Sequence, residues 1–316
     1  MRPLLIALVL ASAACGGASQ SATPAATTTP APAPTTGNLS AGWRATPNSA
    51  FRIFGASTPN AGWVSDEVWL TVGTSQGTRL YRSRDGSNQT TAEALPGLAA
   101  SLNGTGYSPS ETVPRQTAAG VRELYVLGLA PPGTSRAWLF RLQESGGAFV
   151  RNPSVAVYEG LAGNQGWIGV PDVYRAPDGR YRLVYVEKGT PRQNARTAIS
   201  TDQGATFVLE STNPFGDIAL SGPADTNVDP AVLALASGGY LALTMRLTKL
   251  YIFTSADGVT FAPQATAPIE AMSFIAGATG LFDPTLVQLP DGTVLMYVTL
   301  EDDQRRSSVV LATLNR

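Results

Sequence analysis

Histidine is absent from the 316 residues, and cysteine occurs only once, at Cys15. Without histidine the chain cannot build a Ser-His-Asp triad, an imidazole general base or a His-ligated zinc site. One cysteine excludes an internal disulfide and a cysteine cluster. Charged residues are scarce (14%) and nearly balanced at −1, so the basic surface required for binding nucleic acid is missing as well.

The abundant residue types in this sequence favour β-strands. Hydrophobic residues make up 43% of the chain, and there are 32 glycines and 23 prolines. This composition is typical of many short strands joined by tight turns around a large core.

The first forty residues form two segments that stand apart from the rest. Residues 1–15, MRPLLIALVLASAAC, carry a positive charge at Arg2, a short apolar run and small residues before Cys15. This pattern predicts an export signal, and the apolar run is shorter than the roughly 20 residues that span a bilayer. It resembles the bacterial lipoprotein signal, whose cysteine is lipidated, although Ser12 stands where that signal usually has leucine. The alternative is an ordinary cleaved signal.

Residues 16–40 are rich in Ala, Thr and Pro and contain no charged residue. They cannot bury a core and are predicted to be a disordered tether before a folded domain at 41–316. We therefore expect an exported protein of the cell envelope, either lipid-anchored, with the lipid as its only membrane contact, or secreted.

A repeat of about 55 residues organises the folded domain. Residues 228–261 show it fully: an Asp-Pro, an apolar run, a Gly-rich turn, two further runs and a tight turn. Acidic residues open four copies, at Glu111, Asp172, Asp229 and Asp283, spaced 61, 57 and 54 residues apart. The first copy is the loosest and is interpreted as FRIFGAS, EVWLTVGT and TRLYRSRDG.

This period, with three or four strands per copy, predicts an all-β fold: a five-bladed β-propeller of four-stranded antiparallel blades. Residues 42–46 (GWRAT) have no other partner, so they are predicted to complete the last blade and close the ring. The alternative is a six-bladed, sialidase-like ring.

Two resemblances to known families support a propeller. Residues 200–207 (STDQGATF) are similar to the Asp-box turn of sialidases and related propellers, and 255–261 and 83–90 are weaker copies. The Asp-Pro, Pro-Asp-Gly and terminal Tyr pattern resembles the blades of five-bladed glycoside hydrolases of the arabinanase, xylosidase and invertase group. FRIF (51–54) is similar to a sialidase sequence whose arginine contacts the substrate, but Phe54 replaces its proline. A sialidase needs two further arginines, and Arg115, Arg175 and Arg246 are candidates, but no motif links them.

Carboxylates are the candidate catalytic groups. The opening residues of different blades converge at one mouth of a propeller, which predicts a cluster of Glu111, Asp172, Asp229 and Asp283. Glycoside hydrolysis needs one protonated and one ionised carboxyl group. The resemblance to the arabinanase group implies two aspartates and one glutamate, in the order Asp, Asp, Glu, whereas here the glutamate comes first. The assignment is Glu111 as acid, Asp229 as base and Asp172 as modulator, with Glu187 as an alternative acid.

Other interpretations of the same residues remain open. The acids can simply cap backbone N–H groups at strand starts, or they can bind Ca²⁺, which favours carboxylate and carbonyl oxygens. No other cofactor or metal is predicted. Residues that could contact a sugar are predicted at Tyr107, Arg115, Trp167 and Arg246, with Phe274, Arg192 and Arg196 also near the mouth.

Three functions are compatible with these features. The first is a surface-tethered, glycan-active protein of the glycoside hydrolase type. The second is a non-catalytic propeller that binds a glycan or a protein, and the third is an envelope scaffold. A propeller fold alone does not choose among them.

Overall fold

The computed structural model describes residues 42–129, 137–151, 168–176, 178–188, 193–210, 214–215 and 227–316. Cys15, Trp167 and Arg192 lie outside these residues, as do the predicted signal at 1–15 and the whole of the predicted tether at 16–40. No helix in the described ranges is long and apolar enough to cross a membrane.

The described chain forms five antiparallel sheets of four strands each, which confirms the predicted five-bladed propeller and excludes the six-bladed alternative. The strands of blades 1 to 3 are β2 (Ala56–Val64), β3 (Glu67–Thr74), β4 (Gly77–Ser83), β5 (Ala92–Glu93), β6 (Ser108–Gln116), β7 (Arg122–Leu129), β8 (Ala137–Ser145), β9 (Ala148–Arg151), β10 (Ile168–Arg175), β11 (Tyr181–Lys188), β12 (Gln193–Ser200) and β13 (Val208–Leu209).

Blades 4 and 5 complete the ring. Their strands are β14 (Val228–Ala234), β15 (Tyr240–Arg246), β16 (Lys249–Ser255), β17 (Ala262–Pro263), β18 (Gly280–Gln288), β19 (Val294–Glu301), β20 (Ser307–Asn315) and β1 (Arg44–Phe54). The described residues add one short helix, α1 (Leu98–Leu102), and a single 3₁₀ turn (Ala271–Ser273).

Closure of the ring follows the prediction but uses a longer strand. β1 pairs with β20 from Arg44↔Asn315 to Phe54↔Ser308, so the N-terminal strand is the fourth strand of blade 5. FRIF (51–54) is the end of this closing strand, and its assignment to the first repeat was wrong. The innermost strand of blade 1 is β2, which begins after Gly55. Pairing with β1 covers the outer edge of β20, which blade 5 would otherwise leave unpaired.

The inner strands β2, β6, β10, β14 and β18 contact one another around the axis. We call the face where they begin the upper face and the face where they end the lower face. Each inner strand has a two-residue irregularity in its pairing near its start. In four blades its first residue has a left-handed backbone, with φ of 47–50° at Thr58, Val170, Asp229 and Asp283. Such bulges bend a strand and re-aim its side chains.

Apolar side chains pack between neighbouring blades rather than at the axis. Five buried clusters fill the five interfaces; the one between blades 2 and 3, for example, contains Val113, Tyr125, Val173 and Tyr185.

Tyrosine hydroxyls join three of these interfaces to the outer turns. Tyr125 donates to the Gly204 carbonyl (3.2 Å), Tyr174 to Gly258 (2.9 Å) and Tyr297 to Gly86 (2.6 Å). The three glycines have φ of 80°, 66° and 72°, which glycine adopts without strain. In the 200–207 turn, Asp202 accepts hydrogen bonds from the Thr206 N–H (2.8 Å) and hydroxyl (2.6 Å). The turn sequences are therefore explained by stabilisation of the hairpins and of the blade contacts.

Candidate functional site

Three of the four predicted acids come together at the upper face. Asp229 and Asp283 are the first bulge residues of β14 and β18, and Glu111 lies at the bulge of β6. The charges of both aspartates act on Glu111, so blades 2, 4 and 5 each bring one carboxyl group to the same place. We call Glu111, Asp229 and Asp283 the carboxylate trio.

Hydrogen bonds tie the trio to the next blade around the ring. The Asp283 N–H donates to Asp229 Oδ2 (3.4 Å), and the Val170 N–H donates to the Glu111 carboxylate. Thr299 Oγ1 donates to Asp283 Oδ2 (3.4 Å). Glu111 and Asp229 thus cap backbone groups, as the alternative interpretation predicted. Capping does not account for Glu111 Oε2, which is buried without a hydrogen-bond partner.

The trio holds protons more tightly than ordinary carboxyl groups. Burial, then the negative charges of Asp283 and Asp229, raise the pKa of Glu111 well above its usual range. Burial raises the pKa of Asp229 to about 6. Burial and the charge of Asp229 raise the pKa of Asp283 to about 7. Glu111 is therefore strongly biased towards its protonated form, while Asp229 is largely ionised at neutral pH. One protonated and one ionised carboxyl group is the combination that acid–base catalysis needs.

We expect Asp283→Asn to gain stability relative to the wild type as the pH rises. A folded-state pKa above the unfolded value means that the folded protein binds extra protons, so its free energy of unfolding falls between about pH 4 and pH 7. The variant lacks this loss. The difference in free energy of unfolding between the variant and the wild type should therefore shift in favour of the variant by on the order of 2 kcal/mol from pH 4 to pH 8.

Urea denaturation at several pH values measures this difference. Asp66→Asn, which removes an exposed carboxyl group in the β2–β3 turn, is the control for loss of one surface charge. Parallel curves for Asp283→Asn and the wild type would contradict the proposed electrostatics of the trio.

Asp172 is separate from the trio. It lies two residues beyond the first bulge residue of β10, at the position that Asn60, Thr112, Ala231 and Thr285 occupy in the other blades. It forms an ion pair with Arg115 and accepts hydrogen bonds from the N–H groups of Val173 (2.8 Å) and Val232 (2.9 Å). Thr285 accepts one from Ala61 N–H (2.9 Å) in the same way. The prediction that all four acids share one position was therefore wrong.

Arg115 likewise lies away from the trio, towards the lower end of β6. Its Nε donates to the Val173 carbonyl (2.6 Å), and its Nη1 donates to the carbonyls of Ala61 (2.8 Å) and Pro114 (2.7 Å). With Asp172 it links blades 1, 2, 3 and 4 around the axis. We call this pair the axial clamp. Because its hydrogen-bond donors are engaged, Arg115 is not placed to bind a sugar at the upper face.

A cavity of about 750 Å³ opens below the clamp at the lower face. All five inner strands line it, mainly with apolar side chains such as Trp63, Val232 and Leu286. The carboxylate trio is not among its lining residues.

The remaining predicted residues have varied surroundings. Arg246, at the upper end of β15, lies with its guanidinium 3.8 Å from the centre of the Tyr251 ring, and its buried Nε has no hydrogen-bond partner. Tyr107 packs edge-on against Trp138 and Phe140 at ring distances of 6.0 and 5.7 Å. Arg246 is therefore free to bind an incoming group, whereas Tyr107 mainly packs within the blade.

Glu187, the alternative acid, forms an ion pair with Arg196 (2.9 Å) and is 8% exposed. Phe274 packs against the apolar cluster between blades 4 and 5. Sequence reasoning missed two residues of the site: Thr299, which holds Asp283, and Tyr251, which lies beneath Arg246. The signal for both was their position near the upper ends of strands β19 and β16. Within the described part of the chain, no group of three or more acidic or cysteine side chains is arranged to hold a metal ion.

No family model matches the sequence, and no curated protein matches it. The structure is similar to solved structures of glycoside hydrolases. A xylan β-1,4-xylosidase from Bacillus halodurans C-125 superposes with a TM-score of 0.60 at 12% identity, over 83% of this chain and 53% of that one. A thermostable family-43 glycoside hydrolase gives a TM-score of 0.60 at 12% identity, over 83% and 89% of the two chains.

An endo-arabinase from Bacteroides thetaiotaomicron VPI-5482 gives a TM-score of 0.57 at 14% identity, over 84% of this chain and 95% of that one. The chain spans about half the length of the xylosidase and nearly all of the endo-arabinase. At these identities the likeness establishes the five-bladed propeller fold that the chain shares with them.

Proposed function

We propose that this protein is a glycoside hydrolase whose active site is the carboxylate trio at the upper face. The observation that carries the proposal is the meeting of three carboxyl groups from three blades, with raised pKa values and with one buried oxygen, Glu111 Oε2, left unpaired. The similarity to xylosidase and endo-arabinase structures supports a polymeric or oligomeric sugar as the substrate class.

The proposed chemistry divides the trio by proton affinity. Glu111, whose pKa is raised well above its usual range, donates its proton to the glycosidic oxygen as the bond to the anomeric carbon breaks. Asp229, ionised near neutral pH, is the base that activates water or the nucleophile that attacks the anomeric carbon. Asp283 lies beside Asp229, and its backbone N–H donates to Asp229 Oδ2, which favours the ionised form of Asp229. Asp283 therefore takes the modulating role that was predicted for Asp172. Arg246 is proposed to bind the substrate beside the trio.

A panel of aryl glycosides and of linear xylan and arabinan oligosaccharides tests the proposal. Release of sugar by the wild type, and its loss in Glu111→Gln, is the expected result. Binding of a glycan without any release would instead support the non-catalytic binding propeller.

The proposal also includes export and a lipid anchor at Cys15. The supporting features are the short apolar run, the small residues before Cys15 and the uncharged segment at 16–40. We expect Cys15→Ser to move the protein from the membrane fraction to the soluble fraction of a bacterial host that processes lipoproteins. Fractionation followed by immunoblotting measures this, with Ser12→Ala as the matched substitution. Retention of Cys15→Ser in the membrane would contradict the anchor.

A further inference from the structure

The upper face carries an exposed aromatic ring that the proposed active site does not use. Phe54, the last residue of β1, is 74% exposed and is the only aromatic among the large exposed hydrophobic residues that the structure describes. The Arg52 guanidinium lies 4.4 Å from the centre of its ring. Arg52 Nε in turn donates to the hydroxyl of the buried Ser308 (3.0 Å). One face of the ring is thus covered and anchored, and the other faces solvent.

A cavity of about 540 Å³ adjoins this ring. Besides Arg52 and Phe54, its lining includes Ser307 and the side chains of Asp302, Asp303 and Arg306. Asp302 forms an ion pair with Arg306, whose Nε donates to Asp302 Oδ2 at 2.8 Å. Asp303 is exposed, and it makes no hydrogen bond or ion pair with any of the residues that the structure describes. Its carboxylate is therefore available to accept hydrogen bonds from a ligand.

We propose that Phe54, backed by Arg52 and flanked by Asp303, is an outer sugar-binding subsite. A pyranose or furanose ring has an apolar C–H face and a rim of hydroxyl groups, and this site offers an apolar ring face and a rim of charged groups. A large aromatic face that remains open beside a few polar groups is the usual composition of a small-ligand site.

The position of the subsite indicates a long substrate. Phe54 lies in the fourth strand of blade 5, while Asp283 lies in the first strand of the same sheet. Three strand spacings separate them, which is roughly 14 Å at the usual distance between paired strands. A sugar bound on Phe54 is therefore well outside the trio, and one molecule can occupy both places only if it is a chain of several units.

This inference rests on the proposed function for the identity of the glycan, so binding and hydrolysis are measured separately. Binding is measured by calorimetry on Glu111→Gln protein, with linear xylo- and arabino-oligosaccharides of two and six units as probes. We expect Phe54→Ala, added to Glu111→Gln, to weaken binding of the six-unit probe roughly 5- to 10-fold and to leave the two-unit probe within about twofold.

Two further variants control for the substitution itself. Phe54→Trp keeps an aromatic face and should preserve affinity for the six-unit probe. Val208→Ala removes a comparably exposed apolar side chain (68% exposed) from the outer strand of blade 3 and should change nothing.

The outcomes separate the two proposals. Unchanged six-unit affinity in Phe54→Ala overturns the subsite but leaves hydrolysis standing. Phe54-dependent binding by a wild-type protein that releases no sugar overturns hydrolysis and supports the subsite. Failure of the wild type and of Glu111→Gln to bind either six-unit probe overturns both.

Discussion

Glu111→Gln is expected to lower kcat on a cleaved glycoside by roughly a thousandfold, within the range that a positioned general acid contributes. Glutamine keeps the size of the side chain and can still accept the hydrogen bond from the Val170 N–H. It cannot donate a proton to a leaving oxygen. The loss should therefore appear in kcat, while the affinity for substrate changes little. Steady-state kinetics together with calorimetry on the same oligosaccharide measures both quantities.

The pH dependence of hydrolysis is a second test of the proposed roles of Glu111 and Asp229. Hydrolysis requires ionised Asp229, whose pKa is about 6, so wild-type activity should fall as the pH drops below about 6. The raised pKa of Glu111 should also extend activity to higher pH than an ordinary glutamic acid would allow.

Glu93→Gln is the matched control for Glu111→Gln, since it alters a half-exposed glutamate in the outer strand of blade 1 that pairs with Arg82. It should leave kcat unchanged. Equal activity of Glu111→Gln and the wild type would remove Glu111 from the mechanism. A Glu111→Gln protein that fails to bind the oligosaccharide would instead assign Glu111 a binding role.

The blade count was predictable because the repeat recurs at regular spacing along the sequence. Asp-Pro pairs, Gly turns and apolar runs recur at nearly constant spacing, and each unit buries its faces only against its neighbours. The closing strand was predictable because residues 42–46 had no other partner. The length of this strand was not predictable. Residues 47–54 are equally compatible with the start of the first repeat, and only their pairing with β20 assigns them to the closing strand.

The acidic residues of the candidate site were predictable from the sequence, but their positions relative to one another in the fold were not. The spacing of Glu111, Asp172, Asp229 and Asp283 suggested one shared position, although Asp172 lies two residues beyond the first bulge residue of its strand. A shift of two residues keeps a side chain on the same side of a strand, so hydrophobic periodicity cannot detect it. Register depends on the bulges, which are set by contacts between blades.

Arg115→Met is expected to lower the free energy of unfolding by about 3–5 kcal/mol, because it leaves the buried Asp172 carboxylate without its positive partner. Burial already raises the pKa of Asp172, and the positive charge of Arg115 is the main influence that lowers it. Removing Arg115 raises the pKa further. The destabilisation should therefore be largest at neutral pH and smaller in acid, where Asp172 is protonated at less cost. Urea denaturation at pH 4.5 and at pH 7 measures the difference.

The double variant Arg115→Met/Asp172→Asn separates the buried charge from the lost packing. It should be more stable at pH 7 than Arg115→Met alone, since the uncompensated carboxylate is gone, and it should depend less on pH. Asp172→Asn on its own keeps a side-chain oxygen for only one of the Val173 and Val232 N–H groups, so it should lose some stability. Because Asp172 is separate from the trio, the folded fraction of this variant should retain kcat. A thousandfold loss of kcat in well-folded Asp172→Asn would return Asp172 to the catalytic group. A fully stable Arg115→Met would show that blades 1 to 4 do not depend on the axial clamp.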